Sequence, residues 1–362
     1  MKKLLALLLC AVLCLSLAAC ASNTATTTTT TEPAASTETA AETPAAEETA
    51  EAPAAAEAPA EEAPAEEAPD AKQYVVGICQ LVQHDALDAA TNGFMDALNE
   101  ALPGQVTFDL KNASNDIPTC GTIVTGFVAS NVDLILANAT PALQAASTAT
   151  QTIPILGTAV TEYGVALDIK DFNGTVGGNI SGTSDLAPLD QQADMLLELL
   201  PEAQNVGILY CSAEANSVYQ ADVVKAALEE KGVTVTVYTF ADSNDVATVT
   251  QTACAENDAL YIPTDNTAAS CTEAINNVAE PAGVPIVAGE EGICKGCGIA
   301  TLSIDYYELG KTTGAMAAKI LTGEANVSEM PIEYYQNPVK KYDVARCEAL
   351  GITVPADYVA IG

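Results

Sequence analysis

From Tyr74 onward, short runs of β-branched and other apolar residues alternate with longer stretches of helical periodicity. Val75-Val76-Gly77-Ile78-Cys79 predicts a buried strand, followed by a helix over residues 88–101. Further strands are predicted at 106–110, 133–137 and 153–157, separated by helices at about 119–129 and 141–150. The pattern then begins again, with strands at 206–210, 234–238, 259–263 and 286–288. Helices near 190–200, 217–231, 246–256 and 267–279 lie before and between them. A helix over 306–321 follows, and a strand-like stretch and a short helix close the chain. Strand, helix, strand repeated in this way predicts a parallel sheet with helices on both faces. Two such halves predict an α/β protein of two Rossmann-like lobes joined by a multi-strand hinge. The expected division is 72–182 plus 305–330 for lobe I and 183–304 plus 331–362 for lobe II, with Gly182-Thr183-Ser184-Asp185 as the first crossover. Open sheets of this kind bind ligands at the carboxyl ends of their strands, so a cleft is expected there.

The first 71 residues break the pattern. Lys2 and Lys3 precede an apolar run from 4 to about 15 that ends at small residues, which predicts a signal peptide over residues 1–20. The run is too short to span a bilayer. Leu17-Ala18-Ala19-Cys20 resembles a bacterial lipobox with Cys20 as the lipidated residue, so the mature protein is expected to be tethered to the outer face of the cytoplasmic membrane. Residues 21–71 are almost only Ala, Thr, Glu and Pro and cannot bury enough apolar surface to offset their ordering entropy. They are expected to form a disordered spacer, with a binding tail built on the Glu-Glu-Ala-Pro units as the alternative.

The remaining stretch of about 290 residues suffices for two lobes. A net charge of -35 with no basic cluster argues against nucleic acid or anionic lipid as a partner. With no Trp and one histidine, His84, a histidine cluster for zinc or copper is ruled out, and no metal or other cofactor is expected. Cys294-Lys295-Gly296-Cys297 has oxidoreductase spacing but lies in a glycine-rich late stretch that reads as a loop, so a local disulfide is the expectation. Cys79, Cys120, Cys211, Cys254, Cys271 and Cys347 read as small buried residues or unassigned pairing partners.

The predicted strand ends carry a family likeness. Gly77 to His84 with Ala86-Leu87-Asp88, Ala139-Thr140-Pro141-Ala142, Thr158-Ala159-Val160-Thr161, Gly182-Thr183-Ser184-Asp185, Glu214-Ala215-Asn216-Ser217, Pro263-Thr264-Asp265-Asn266-Thr267 and Asp305 to Gly310 occur in order. This set resembles the TrpX-like family of ABC substrate-binding lipoproteins. The resemblance implies a type I periplasmic-binding-protein fold, hinge closure around a small solute and delivery to a permease and ATPase pair. It also implies an amino acid as solute, with tryptophan, tyrosine and phenylalanine as the candidates. A single histidine and the lack of a Ser-His-Asp order with a nucleophile elbow argue against an enzyme. A monomeric receptor is expected, with a different small solute, a ligand sensor or an extracellular enzyme as the alternatives. Gln83 stands where relatives often carry glutamate, which removes one partner for an ammonium group.

An amino acid presents a carboxylate, an ammonium and a side chain. Thr140 before Pro141 reads as the start of a helix whose free N–H groups suit a carboxylate, and Asn216 with Ser217 occupies the matching place in lobe II; both are equally readable as ordinary caps. Asp265 is the first choice for the ammonium and Asp185 the second, against capping and hinge roles for the two. Asp305 carries the same alternatives as Asp185. His84 is a candidate for stacking or hydrogen bonding, and Thr158 and Asn266 join the ligand set through the resemblance. Tyr163 and Tyr210 offer ring surface or core packing.

Overall fold

The structure, a computed structural model, describes residues 72–361, so Cys20, the lipobox and the spacer lie outside the described residues. Lobe I begins with β1 (Tyr74–Gln80), α1 (Asp85–Ala101), β2 (Val106–Asn112), α2 (Ile117–Ala129), β3 (Leu134–Asn138) and α3 (Thr140–Ala149). It continues through β4 (Ile155–Val160), α4 (Tyr163–Ala166) and β5 (Ile180–Ser184). Lobe II takes α5 (Leu189–Leu199), β6 (Asn205–Cys211), α6 (Ala215–Glu230), β7 (Thr234–Phe240), α7 (Val246–Glu256), β8 (Ala259–Ile262), α8 (Asn266–Ser270), α9 (Thr272–Ala282), β9 (Ile286–Ala288), α10 (Glu291–Cys297) and β10 (Ala300–Ser303). The chain returns to lobe I for α11 (Tyr306–Leu321) and β11 (Glu333–Tyr334). It then re-enters lobe II for β12 (Val339–Tyr342), α12 (Val344–Ala349) and β13 (Val359–Ala360).

The first sheet runs β2-β1-β3-β4-β5-β11 and the second β7-β6-β8-β9-β10-β12-β13. All described pairings are parallel except β10 with β12. The leading five strands of each lobe thus share one order, as the two halves of the sequence pattern suggested. Strands such as β3 and β4 are buried along their whole length, which is why they read as continuous apolar runs rather than alternating ones. Each sheet carries an apolar core on both faces. In lobe I, Leu87, Phe127, Leu143 and Tyr163 pack on one face and Phe94, Leu98, Leu134 and Met316 on the other.

Several details differ from expectation. Residues 180–184 form a fifth strand of lobe I, and Glu333–Tyr334 pairs beside it, so the crossings follow Ser184 and Tyr334 rather than residues 182 and 330. Gly182 hides this strand from a propensity reading. Its φ of 147° and the Gly157 carbonyl 2.1 Å from where a Cβ would stand admit only glycine. The helix expected over 267–279 is two helices broken at Cys271. The glycine-rich stretch holding Cys294 and Cys297 is helix α10, not a loop.

Candidate functional site

In both lobes the strand order reverses beside the first strand, and the loops leaving those strands meet across the gap between the lobes. His84 follows β1, Ala159 and Thr161 flank the end of β4, and Asp185 follows β5. From lobe II come Asn216 after β6, Thr264, Asp265 and Asn266 after β8, and Glu290 after β9. Tyr306, at the start of α11, closes the hinge side. These residues, with Ala86, Leu87 and Ala269, line a cavity with room for only about 10 Å3. That is far below the usual 300–1,000 Å3 range of ligand pockets, so the two lobes stand shut on each other with the space between them nearly filled. Two of the strand ends are held by alanines at positive φ, Ala139 at 92° and Ala159 at 51°. Left-handed backbone at alanine is strained, and strain of this kind concentrates at ligand sites.

The lining is acidic, with no Lys or Arg among it. Asp185 is 4 % exposed, and burial raises its pKa. Its Oδ2 accepts from the Tyr306 hydroxyl at 3.0 Å, whereas Oδ1 has no hydrogen-bond partner among the described residues. The Thr161 hydroxyl lies near enough to favour the charged form without making a bond of normal geometry. Asp265 is engaged on both oxygens, Oδ1 accepting from Ala268 N at 2.7 Å and Oδ2 from Cys211 N at 2.7 Å. Burial, and then the charge of Glu214, push it up to about 8. Asp265 is therefore the cap of α8, and of the two carboxylates Asp185 has the free acceptor. The open oxygen thus lies on the carboxylate that was the second choice from the sequence.

The Asn216 amide also departs from expectation. Its Nδ2 donates to Thr264 O at 2.9 Å, and its buried Oδ1 has no partner, so it presents an acceptor rather than a donor for a carboxylate. His84 Nε2 lies 3.2 Å from Asn266 Oδ1 across the lobes. Because Asn266 Nδ2 donates to Glu214, Oδ1 is the acceptor and His84 Nε2 the donor, which leaves the buried, unpartnered Nδ1 as the free position of the ring. Glu290 caps α10 through Gly292 N and Ile293 N; burial raises its pKa and nearby His84 opposes that rise.

His84, Asp185, Asn216, Asp265 and Asn266 thus meet at one cavity, while Thr140, Thr158 and Ser217 are not in its lining. Thr158 sits in a buried hydroxyl triad with Thr183 and Thr313. Ser217 supports Asp265 from behind. Thr140 is the first residue inside α3, whose cap is Ala139, and its buried Oγ1 has no partner among the described residues. Asp305 caps α11. Tyr163 and Tyr210 are core residues, the former donating to Thr183 O. Cys294 and Cys297 are not joined in a disulfide. Both face the core from α10, Cys297 Sγ donating to Ile293 O at 3.4 Å, and burial pushes the Cys297 thiol up to about 12. Sequence reading missed Glu290, Thr161 and Tyr306 as lining residues. Thr161 and Tyr306 stood within the motifs that carry the family likeness, and the signal for Glu290 was its place just after the strand predicted at 286–288.

Comparison with known proteins places this geometry. Residues 75–359 match the family described as ABC transporter substrate binding protein. The chain is 36% identical over 264 residues to the tyrosine-binding protein of Clostridioides difficile (strain R20291), covering 72% of this chain and 76% of that one. It resembles an ABC domain from Streptococcus pneumonia in complex with L-Trp, at 31% identity and a TM-score of 0.75 over 79% of this chain and 97% of that one. It also resembles the ligand-free, open structure of a Clostridium difficile substrate binding protein with adhesive properties, at 35% identity and a TM-score of 0.61 over 80% of this chain and all of that one (100%). The superposition on the open structure is the weaker of the two despite its higher identity, in keeping with lobes that meet across the cavity.

Proposed function

The chain belongs to the family of ABC transporter substrate binding proteins, and from that premise we propose that it is the extracytoplasmic solute receptor of an ABC importer whose solute is an aromatic amino acid. The carrying observation is a small cavity walled by both lobes in which Asp185 Oδ1 and Asn216 Oδ1 are buried acceptors without partners. A buried acceptor left unpaired costs about 1–3 kcal/mol, more when charged, so the wall favours a ligand that brings donors. An α-ammonium group fits that need, with Asp185 as its charged partner. His84, through Nδ1 when protonated, is the complementary group for the carboxylate. The tyrosine-binding relative and the L-Trp complex support an aromatic side chain.

Because the acceptors come from the hinge and from lobe II and His84 from lobe I, a solute touching all three binds the closed form more tightly and draws the lobes together. The closed shape is what the permease and ATPase assembly engages. In this reading Cys20 anchors the receptor, while among the described residues no helix is long and apolar enough to cross a membrane.

Calorimetric titration of the purified protein with L-tyrosine, L-tryptophan, L-phenylalanine, L-leucine and a panel of sugars tests the ligand class. Saturable binding of one or more aromatic amino acids is expected; saturation by a sugar alone keeps the receptor and discards the amino acid.

A further inference from the structure

Glu214 stands at the N-cap position of α6 but makes no cap for its own helix. Its carboxylate, 1 % exposed, instead reaches across to the start of α8 and accepts four hydrogen bonds there, besides a longer one from Asn216 Nδ2 at 3.4 Å. Oε2 takes Asn266 N at 3.0 Å and Asn266 Nδ2 at 2.6 Å; Oε1 takes Thr267 N at 2.9 Å and Thr267 Oγ1 at 2.8 Å. Asp265, the residue before, already caps the same five-residue helix, and burial beside Glu214 disfavours its charge. Two carboxylates on one short helix is an arrangement that helix capping alone does not require.

Asn266 and Thr267 are also the two residues of α8 that bond directly to lobe I. Asn266 Oδ1 meets His84 Nε2 at 3.2 Å, and Thr267 Oγ1 accepts from Asn115 Nδ2 at 3.0 Å. Asn115 is presented on a strained loop. It and Ser114 both have positive φ, 62° and 54°, and the loop is pinned by Asn115 N on Leu81 O and Ser114 N on Asn112 Oδ1. Glu214 fixes the faces of both lobe II partners. It occupies Asn266 Nδ2, which turns Oδ1 toward His84, and it takes the Thr267 hydroxyl proton, which leaves the oxygen lone pairs for Asn115.

We infer that Glu214 is a positioning residue that sets Asn266 and Thr267 as a latch between the lobes, and that this latch keeps a fraction of the solute-free protein closed. Neither bond passes through a solute, so the inference concerns closure of the cleft and holds whichever solute the cleft takes. One net hydrogen bond shifts an equilibrium roughly two- to twelvefold, and the two act together.

The test is single-molecule energy transfer between dyes on two non-natural amino acids. They would stand at Lys111, near the end of β2, and Asp242, just after β7, both exposed, with the free cysteines untouched. In solute-free protein, a closed population is expected that falls at least threefold in Glu214→Gln and in Asn115→Ala. The double variant should fall no further than Glu214→Gln alone, because both changes act on one unit. If Glu214→Gln does not fold, Thr267→Val breaks the same relay and carries the same expectation. An unchanged closed population in the folded variants, or none in the unaltered protein, overturns the latch. A failure to bind aromatic amino acids leaves this distance measurement intact and counts only against the proposed solute.

Discussion

At the scale of single residues, the cavity sorts carboxylates by what already holds them. Asp265, bonded on both oxygens to backbone N–H groups, serves the fold; Asp185, with Oδ1 open, is available to a ligand. The buried state of Asp265 also carries a pH signature. Its folded pKa, about 8, lies above the ordinary carboxylate value, so the folded chain holds this proton more tightly than the unfolded one. Its stabilising contribution is complete below about pH 4 and is lost as pH rises toward 8, by at most about 1.4 kcal/mol per pH unit. Asp265→Asn is expected to flatten the fall of stability over that window, read from urea midpoints at successive pH values; an unchanged slope contradicts the assignment. Among these residues the sequence identified His84, Asp185, Asn216, Asp265 and Asn266 together, Asp185 from its place at the crossover and the others because they follow legible strands. It did not reveal which oxygen was free. Glu214 stood only within a motif of the family likeness and Glu290 was not singled out, and Ala139 and Ala159 gave no hint of positive φ, since alanine is not the residue that marks it.

At the scale of elements, α1 and α11 pack closely enough to exclude side chains. A Cβ on Gly310 would meet the Ala90 carbonyl at 2.1 Å, and one on Gly93 the Tyr307 carbonyl at 2.1 Å. Ordinarily Gly→Ala inside a helix stabilises by up to about 1 kcal/mol. Gly310→Ala is expected to do the opposite, destabilising by about 1–3 kcal/mol as the helices separate, measured by chemical denaturation. A neutral or stabilising result contradicts the close contact. Helix α11 also carries Tyr306 to Asp185, so the same variant should weaken solute binding through a shifted Tyr306. Both helices were legible from their periodicity; the break at Cys271 was not. No proline or glycine marks it. The turn arises where Asp265 ends its cap on α8 and α9 restarts at Thr272, against which Gly296 of α10 packs with no room for a side chain. Tertiary packing overrode local pattern there, and also where residues 294–297 became helix.

At the scale of the molecule, two sheets of one strand order face each other at their carboxyl ends, and the chain crosses between them after Ser184, Ser303 and Tyr334. The architecture was readable because parallel sheets buried on both faces leave continuous apolar runs; register and crossing points were not, because they depend on Gly182 and on the two-residue strand β11. Closure is the property of the whole that the cavity implies. X-ray scattering is expected to show a smaller radius of gyration once a bound solute is added, and an unchanged radius contradicts hinge closure. The most direct test of the central claim is calorimetry of L-tyrosine and L-tryptophan beside their deaminated analogues, with unaltered protein and Asp185→Asn. A charge-assisted bond is worth about 1.5–3 kcal/mol. The expectation is therefore that removing either the ammonium or the Asp185 charge weakens binding at least about tenfold. Equal affinity for amino acid and deaminated analogue, undiminished in Asp185→Asn, would contradict the site.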